Sequence, residues 1–341
     1  MQNEGGPTPR PLGRRRAKFT RSNGAAIVER FGLVIAWGVV VLVFSVLPKT
    51  SGVFPTTTNF STIFGSQAVI AVLTLGLIIP LTAGDYDLSI AGTLTVSAML
   101  LAILNVNHHW PVGLAVLASL GTGIVIGIIN GSIIIFFGIE SLIVTLGMGT
   151  FLAGVVLWIS SSNTISGIST SLSNVVITDH FLGIPLNFWF ALALCVALWY
   201  VFEYTPLGRR LLIVGRGRAV ARLSGVHVAR VRWGAFVFSG LISAFAGVLY
   251  AGVSGAVDPT SGTQLLLPAF AAAFLGATAI VPGRFNPWGS LIAVYFLVTG
   301  ITGLELLGVQ TYVQSLFYGG ALIAAVILSQ LARRRQALTA E

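Results

Sequence analysis

Two carboxylates stand two residues apart in the sequence TAGDYDLSIAG, which lies between long apolar stretches. Gly84 permits a tight bend just before them, because glycine adopts backbone conformations that other residues disfavour. Asp87 and Ser89 carry side chains that can accept hydrogen bonds from the free N–H groups at the start of a helix. The sequence leaves open whether this turn caps the next helix or has a direct role in function.

A run of seven arginines marks a second candidate site, in YTPLGRRLLIVGRGRAVARLSGVHVARVRW. Within it, residues 219–223 have a helical pattern that Ser224 and Gly225 end, as glycine commonly ends a helix. Arg218 and Arg222 stand four residues apart, so on a helix they share a face that would meet acidic residues of a partner. The apolar residues among them favour a short helix that docks in a groove of another protein. The alternative is a basic loop that binds anionic lipid.

Several kinds of catalytic and metal chemistry are missing from the sequence. Neither lysine, Lys18 or Lys49, belongs to a G-x-x-x-x-G-K-[ST] loop that binds phosphates. His108 and His109 are adjacent, so on a helix their side chains point about 100° apart and make a poor metal pair. No G-x-S-x-G or H-E-x-x-H pattern occurs. We therefore predict no catalytic residue, metal site or cofactor, and we expect any ATP hydrolysis on a separate subunit.

The composition places these residues in a membrane. Hydrophobic residues make up 55% of the 341 and charged residues only 9%, against roughly a quarter in a soluble domain. Such a chain has too few polar side chains to cover a surface in water, so lipid must be its main solvent. The 40 glycines are expected where helices pack closely in a bilayer. The net charge of +9 comes from blocks between apolar spans, which indicates membrane topology rather than nucleic-acid binding.

Ten stretches are long and apolar enough to cross the hydrocarbon core as helices, which takes about 20 residues each. The fourth contains Gly127, Asn130 and Gly131, which we expect to break or tilt it. The predicted fold is an all-α, polytopic transmembrane helical bundle. The ten predicted spans lie near residues 31–48, 66–84, 88–104, 111–137, 140–160, 186–203, 233–253, 262–280, 287–304 and 312–332.

The distribution of positive charge orients these spans. If the N-terminus is cytoplasmic, 18 of the 19 lysines and arginines fall on the cytoplasmic side and only Lys49 falls outside. Both termini are then cytoplasmic. The outer loop 161–185, rich in Ser, Thr and Asn, is expected to hold a short re-entrant or surface helix. The predicted domains are a disordered basic tail at 1–23, one transmembrane domain at 24–335 with a cytoplasmic loop at 205–232, and a second tail at 336–341.

The order of several short motifs resembles that of the ribose-type permeases of ABC sugar importers. AGDYDLSIAG is similar to a Gly-hydrophobic-Asp-Leu-Ser-hydrophobic-Gly string of that family. The Asn-Gly and Ile-Val-Thr-Leu-Gly strings of the family are similar to parts of GIINGSIIIFFGIESLIVTLGMGTFLAG. The arginine-rich segment follows, and it is similar to the family in its Gly-Arg, a pair of small residues and Leu-Ser-Gly. The resemblance implies ten spans in a bacterial-type inner membrane, contact with membrane lipid, a homodimer or heterodimer of permeases, a cytoplasmic ABC ATPase and an extracytoplasmic solute-binding protein.

The expected function is the permease subunit of an ATP-driven importer for a small polar solute, a monosaccharide or related polyol. A branched-chain amino-acid permease is the alternative within this class. An ion-coupled carrier or a membrane enzyme is disfavoured, because nearly all acidic residues fall at span ends rather than at mid-membrane. The candidate pathway residues are Asp85, Asp87, Ser89, Asn130 and Thr145. The candidate residues for coupling to the ATPase are Arg216, Arg218, Ala219, Val220, Arg222, Ser224 and Gly225.

Overall fold

The computed structural model describes residues 23–310 and 312–340, and it describes their side chains from residue 30 to 310 and from 312 to 330. The predicted basic tail therefore lies outside the described residues except for Asn23, the first residue of α1. At the other end, the backbone of α14 is helical as far as Ala340, through most of the predicted second tail.

Helices make up about three quarters of the described chain. They are α1 (Asn23–Val46), α2 (Thr57–Ser66), α3 (Ala68–Thr82), α4 (Ile90–Ala102), α5 (Val112–Phe136), α6 (Ser141–Ile159), α7 (Thr170–Ser173), α8 (Leu186–Tyr204), α9 (Pro206–Arg216), α10 (Arg218–Leu223), α11 (Val228–Ser254), α12 (Thr263–Gly276), α13 (Pro287–Leu306) and α14 (Tyr312–Ala340). Single π-helical turns follow α4 at Ile103–Asn107 and α7 at Asn174–Thr178. The strands are β1 (Ile165–Ser166), β2 (His180–Phe181), β3 (Ile184–Pro185) and β4 (Ala256–Val257).

This architecture confirms the prediction of an all-α, polytopic helical bundle. Within the described residues, eight helical segments are long and apolar enough to cross a membrane, counting α2 and α3 as one. Two further apolar segments, Arg30–Val46 and α12, are shorter. Together these ten segments lie where the ten spans were predicted. The number of spans and the side of each terminus stay predictions, because length and composition alone do not establish a crossing.

The centre of the bundle is built from helices that are apolar all round. Every residue of α3 is buried, and most of α4, α11 and α13 is buried as well. A helix that is hydrophobic on all faces belongs in such a position. In contrast, α6 and α14 expose most of their apolar residues, which leaves those faces to lipid or to another chain.

Glycines bring α5 and α11 into direct backbone contact along their length. A Cβ on Gly123 would lie 2.2 Å from the carbonyl oxygen of Gly240, and one on Gly127 would lie 2.5 Å from that of Phe236. The helix is continuous from Val112 to Phe136, so the expected break of α5 at Gly127, Asn130 and Gly131 is wrong, while a tilt of this span stays a prediction. Small residues instead allow close helix packing, as is common in membranes.

The long loop between α6 and α8 is ordered by short pieces of secondary structure. The expected short helix is present as α7 and the π-helical turn after it. β1 pairs with β4 in an antiparallel ladder, and β2 pairs with β3. Beside β4, hydrogen bonds from Thr260 and Thr164 hold the pKa of Asp258 below its usual range. These contacts join the loops that follow α6 and α11.

Candidate pathway and coupling site

The predicted short helix in the arginine-rich segment is present as α10. It spans Arg218–Leu223, and Gly225 follows in a left-handed conformation with φ of 78°. Val226 N donates to Ala221 O and Gly225 N donates to Arg222 O. This pair of bonds is a Schellman motif, which favours glycine at the left-handed position. The predicted helix and its glycine end are thus confirmed.

Most of α10 faces away from its own chain. Ala221 is fully buried against the protein, whereas Val220 is 64% and Leu223 is 90% exposed. Ala219 and Arg222 are exposed as well. An apolar side chain as exposed as Leu223, at the end of a short helix beside the exposed Val220, is suited to a partner surface.

Asp85 is a buried carboxylate that receives two guanidinium groups. Only 1% of its side chain is exposed. Arg232 binds it with two nitrogens, from Nε to Oδ2 at 2.7 Å and from a terminal nitrogen to Oδ1 at 2.8 Å. Arg218 donates to Oδ1 at 2.9 Å and to the carbonyl oxygen of Gly84 at 3.2 Å. A buried charge is stable only when it is paired, so these contacts explain why Asp85 is tolerated there.

These ion pairs join three segments that are far apart in sequence. We call residues 83–89 the acidic turn; it connects α3 to α4. Arg218 is the first residue of α10 and Arg232 lies near the start of α11. The expectation that Arg218 meets a partner's acids must be corrected, because its guanidinium binds Asp85 of its own chain. The sequence analysis did not select Arg232 as a site residue. The feature that could have identified it is its position at the boundary of an apolar span.

Asp87 anchors a second network behind the first. Its Oδ1 accepts from Ser89 N at 3.1 Å and from Ser89 Oγ at 2.6 Å, and its Oδ2 accepts from Ser239 Oγ at 2.8 Å. Asn130 Nδ2 donates to Ser89 Oγ at 2.8 Å. Ser89 precedes α4 but its side chain makes no capping bond, whereas Asp87 accepts from the N–H of Ser89. The network connects the acidic turn to α5 and α11.

Helix α6 holds the backbone of the acidic turn. Ser141 Oγ accepts from Tyr86 N at 3.0 Å, and Thr145 Oγ1 accepts from Leu88 N at 3.0 Å. On the opposite side, a Cβ on Gly215 of α9 would lie 2.0 Å from the carbonyl oxygen of Thr82. Only glycine allows α9 to approach this closely. The acidic turn is therefore held by side chains or backbone from α5, α6, α9, α10 and α11.

The structure brings all five predicted pathway residues together, but in bonds to the protein itself. Asp85, Asp87, Ser89, Asn130 and Thr145 are each at most 2% exposed. Asn130 Oδ1 is the exception within the network, since it is buried with no hydrogen-bond partner among the described residues. The coupling candidates form one continuous segment, Arg216–Gly225, which meets this network through Arg218. Among the residues that the structure describes, no group of His, Cys, Asp or Glu is placed to hold a metal ion.

A polytopic bundle with an exposed short helix tied to its buried core defines a class: the membrane component of a transport system. Comparison with known proteins identifies the family within this class. The protein-family model described as "Branched-chain amino acid transport system / permease component" matches residues 59–326 of this chain. The chain therefore belongs to this family of ABC transporter permeases.

Curated proteins of similar sequence align with most of the chain. The D-allose transport system permease protein of Escherichia coli is 29% identical over 91% of this chain and 94% of its own length. The ribose import permease protein of Bacillus subtilis is 30% identical over 89% of this chain and 94% of its own. The autoinducer 2 import system permease protein of Salmonella typhimurium is 29% identical over 76% of this chain and 79% of its own length. No solved structure matches the chain.

These matches confirm the resemblance to ribose-type permeases. The chain is a multi-pass inner-membrane permease and not an enzyme, and ATP hydrolysis resides on a separate subunit. The family also implies an ATPase and a solute-binding protein as partners, with membrane lipid around the bundle.

Proposed function

We propose that this chain forms the translocation path of an ATP-driven importer for a monosaccharide or related polyol. The observation that carries this substrate class is the match to permeases named for ribose and allose, which extends over about nine tenths of the chain. The family model's description supports a second candidate, import of branched-chain amino acids. Overall family and fold do not decide between them, because the solute is selected by a few side chains.

The proposed topology has ten spans with both termini in the cytoplasm. It is supported by the ten apolar segments and by the 18 lysines and arginines that this orientation places on one side. The functional unit is a dimer of this chain or of this chain with a similar permease. The exposed apolar side chains of α6 and α14 are candidate surfaces for such a contact.

We propose that α10 docks in a groove of the ATPase. Ala219, Val220 and Leu223 would supply the apolar contact, and Arg222 would meet acidic residues of the partner. Arg216, Ser224 and Gly225 delimit the segment that carries this helix. The bond from Arg218 to Asp85 supports a route by which movement of α10 reaches the acidic turn.

The five pathway candidates would then act at the cytoplasmic end of the path. Their polar side-chain atoms are satisfied by bonds within the protein, apart from Asn130 Oδ1. We infer that they position the acidic turn and are not solute ligands in this conformation. Displacement of the turn would open the path by separating α4 from α5 and α6.

Uptake by cells that produce the complete importer tests the substrate class. Radiolabelled D-ribose, D-allose and L-leucine would be supplied separately, with a strain that lacks only this permease as the control. We expect permease-dependent uptake of at least one of the two sugars and none of leucine. Permease-dependent leucine uptake without either sugar would replace this proposal with the amino-acid alternative.

A further inference from the structure

An apolar cavity of about 170 Å³ lies between α3, α8, α9 and α11, away from the acidic turn's hydrogen bonds. Leu198, Phe202 and Leu211 are among the aliphatic and aromatic side chains that line it. Leu207 and Phe238 also line it and are each more than half exposed, so the cavity opens at the protein surface. Arg230 is the one charged residue in the lining.

The chemistry of the walls limits what can fill this cavity. An apolar cavity of this size does not hold water well but accepts apolar molecules. In a membrane protein, the most abundant apolar molecules at the surface are lipid acyl chains. The cavity also lies at the end of α8 and the start of α11, which is the depth at which headgroups meet the helices.

Arg230 adds a charge to this apolar site. Its side chain is exposed, and no carboxylate in the described part of the chain forms an ion pair with it. A guanidinium at the mouth of an apolar cavity is matched to a phosphate whose acyl chain enters that cavity. The N-terminal segment is a poor alternative occupant, because residues 10–21 contain six arginines and lysines and would be repelled by Arg230.

We propose that this cavity binds one anionic phospholipid, with an acyl chain inside and the phosphate on Arg230. Because Leu207 and Leu211 belong to α9, the bound lipid would pack against the helix that carries α10. The site does not depend on which solute the permease transports. If no lipid binds in this cavity, the proposed transport function is unaffected. If the transported solute differs from the one proposed, the lipid site is unaffected.

Native mass spectrometry of the purified full chain tests this site with added phosphatidylglycerol or phosphatidylcholine. Gly234→Leu should fill the cavity, since a Cβ on Gly234 meets no atom within 4 Å, and should abolish the tightest lipid adduct. Arg230→Gln should weaken phosphatidylglycerol binding about fivefold and leave phosphatidylcholine binding unchanged. Arg209→Gln removes the same charge at an exposed position that does not line the cavity, and should match the wild type. Unchanged phosphatidylglycerol binding in both cavity variants would overturn the proposal.

Photo-crosslinking separates this site from the general lipid belt. Phosphatidylglycerol with a diazirine on its acyl chain would be added to membranes that contain the assembled importer. We expect labelled peptides from 198–211 and 230–238, and we expect Gly234→Leu to remove that label. Label confined to the exposed helices α6 and α14, or a protein partner cross-linked at this cavity in place of lipid, would contradict the proposed occupant.

Discussion

The two arginines on Asp85 differ in how firmly they are held. Arg232 binds through two nitrogens and its side chain is only 13% exposed, whereas Arg218 uses one nitrogen and is 45% exposed. Removing the partner of a buried ion pair costs about 3–5 kcal/mol, but an exposed pair contributes only about 0–1 kcal/mol. We infer that Arg232 fixes the acidic turn permanently, while the bond from Arg218 can break and re-form during transport.

Variants of Asp87 test whether this side chain acts through its hydrogen bonds or through its negative charge. Asp87→Ala leaves three buried donors without an acceptor, on Ser89 and Ser239, at about 1–3 kcal/mol for each unsatisfied group. Asp87→Asn keeps one oxygen for Ser89, and its amide can donate to Ser239 Oγ. We expect the alanine variant to lose thermal stability in detergent and the asparagine variant to retain uptake within about threefold. Loss of uptake by a stably folded asparagine variant would show that the charge itself is required.

The sequence pointed to these residues but not to their partners. Asp85 and Asp87 stand out because carboxylates are rare between apolar spans, and Gly84 marks the bend. Ser239 and Arg232 lie about 150 residues further along, and nothing local distinguishes them from other residues at a span boundary. Long-range pairing of this kind depends on tertiary packing, which a local pattern does not encode.

Among the helices, the contact between α5 and α11 allows a matched test. Gly123→Ala places a Cβ 2.2 Å from the carbonyl oxygen of Gly240, so the helices must separate. Gly121→Ala, two residues away and on nearly the opposite face of the same helix, meets no atom within 4 Å. We expect Gly123→Ala to lower the melting temperature of the purified chain and Gly121→Ala to leave it unchanged or slightly higher. Equal melting temperatures would contradict the close contact.

The proposed docking of α10 on the ATPase can be tested with one variant that enlarges a side chain and one that reverses a charge. Ala219→Trp adds volume to an exposed position that we expect to lie in the ATPase groove, and Arg222→Glu reverses a charge there. Both variants should insert normally but lose the ATPase in a pull-down. Ala193→Trp, an equal change at an exposed position of α8, should keep it. Retention of the ATPase by both α10 variants would leave the segment as a basic loop that binds lipid.

Helix positions were more predictable than helix contacts. Apolar runs of membrane length and the Ser224–Gly225 end placed the apolar helices and α10 correctly. The separate helix α9 was not predicted, although Thr205 before Pro206 is a typical helix start and Leu207, Leu211 and Val214 follow at helical spacing. The glycines of α5 were expected to break or tilt the helix, whereas in the structure Gly127 and Gly131 are points of contact with α11.

For the whole molecule, the orientation in the membrane is the first property to test. Single cysteines at Ser171 and Gly217 in a Cys195→Ala background should be labelled from opposite sides, Ser171 from outside. Ser171 is exposed, and Gly217 has an extended backbone that any residue can adopt. Cys195 is buried, so its replacement removes only background. Labelling of Gly217→Cys by an impermeant reagent in intact cells would contradict cytoplasmic placement of α10.

The link between α10 and the acidic turn is tested most directly by uptake per ATP hydrolysed in proteoliposomes with the complete importer. Arg218→Gln removes the charge that binds Asp85, while Arg232 keeps that carboxylate paired. Arg209→Gln removes an exposed arginine of α9 and serves as the control. We predict that Arg218→Gln keeps its ATPase and its ATP hydrolysis but transports about fivefold less solute per ATP. Uptake per ATP equal to that of the wild type and of Arg209→Gln would contradict this coupling route.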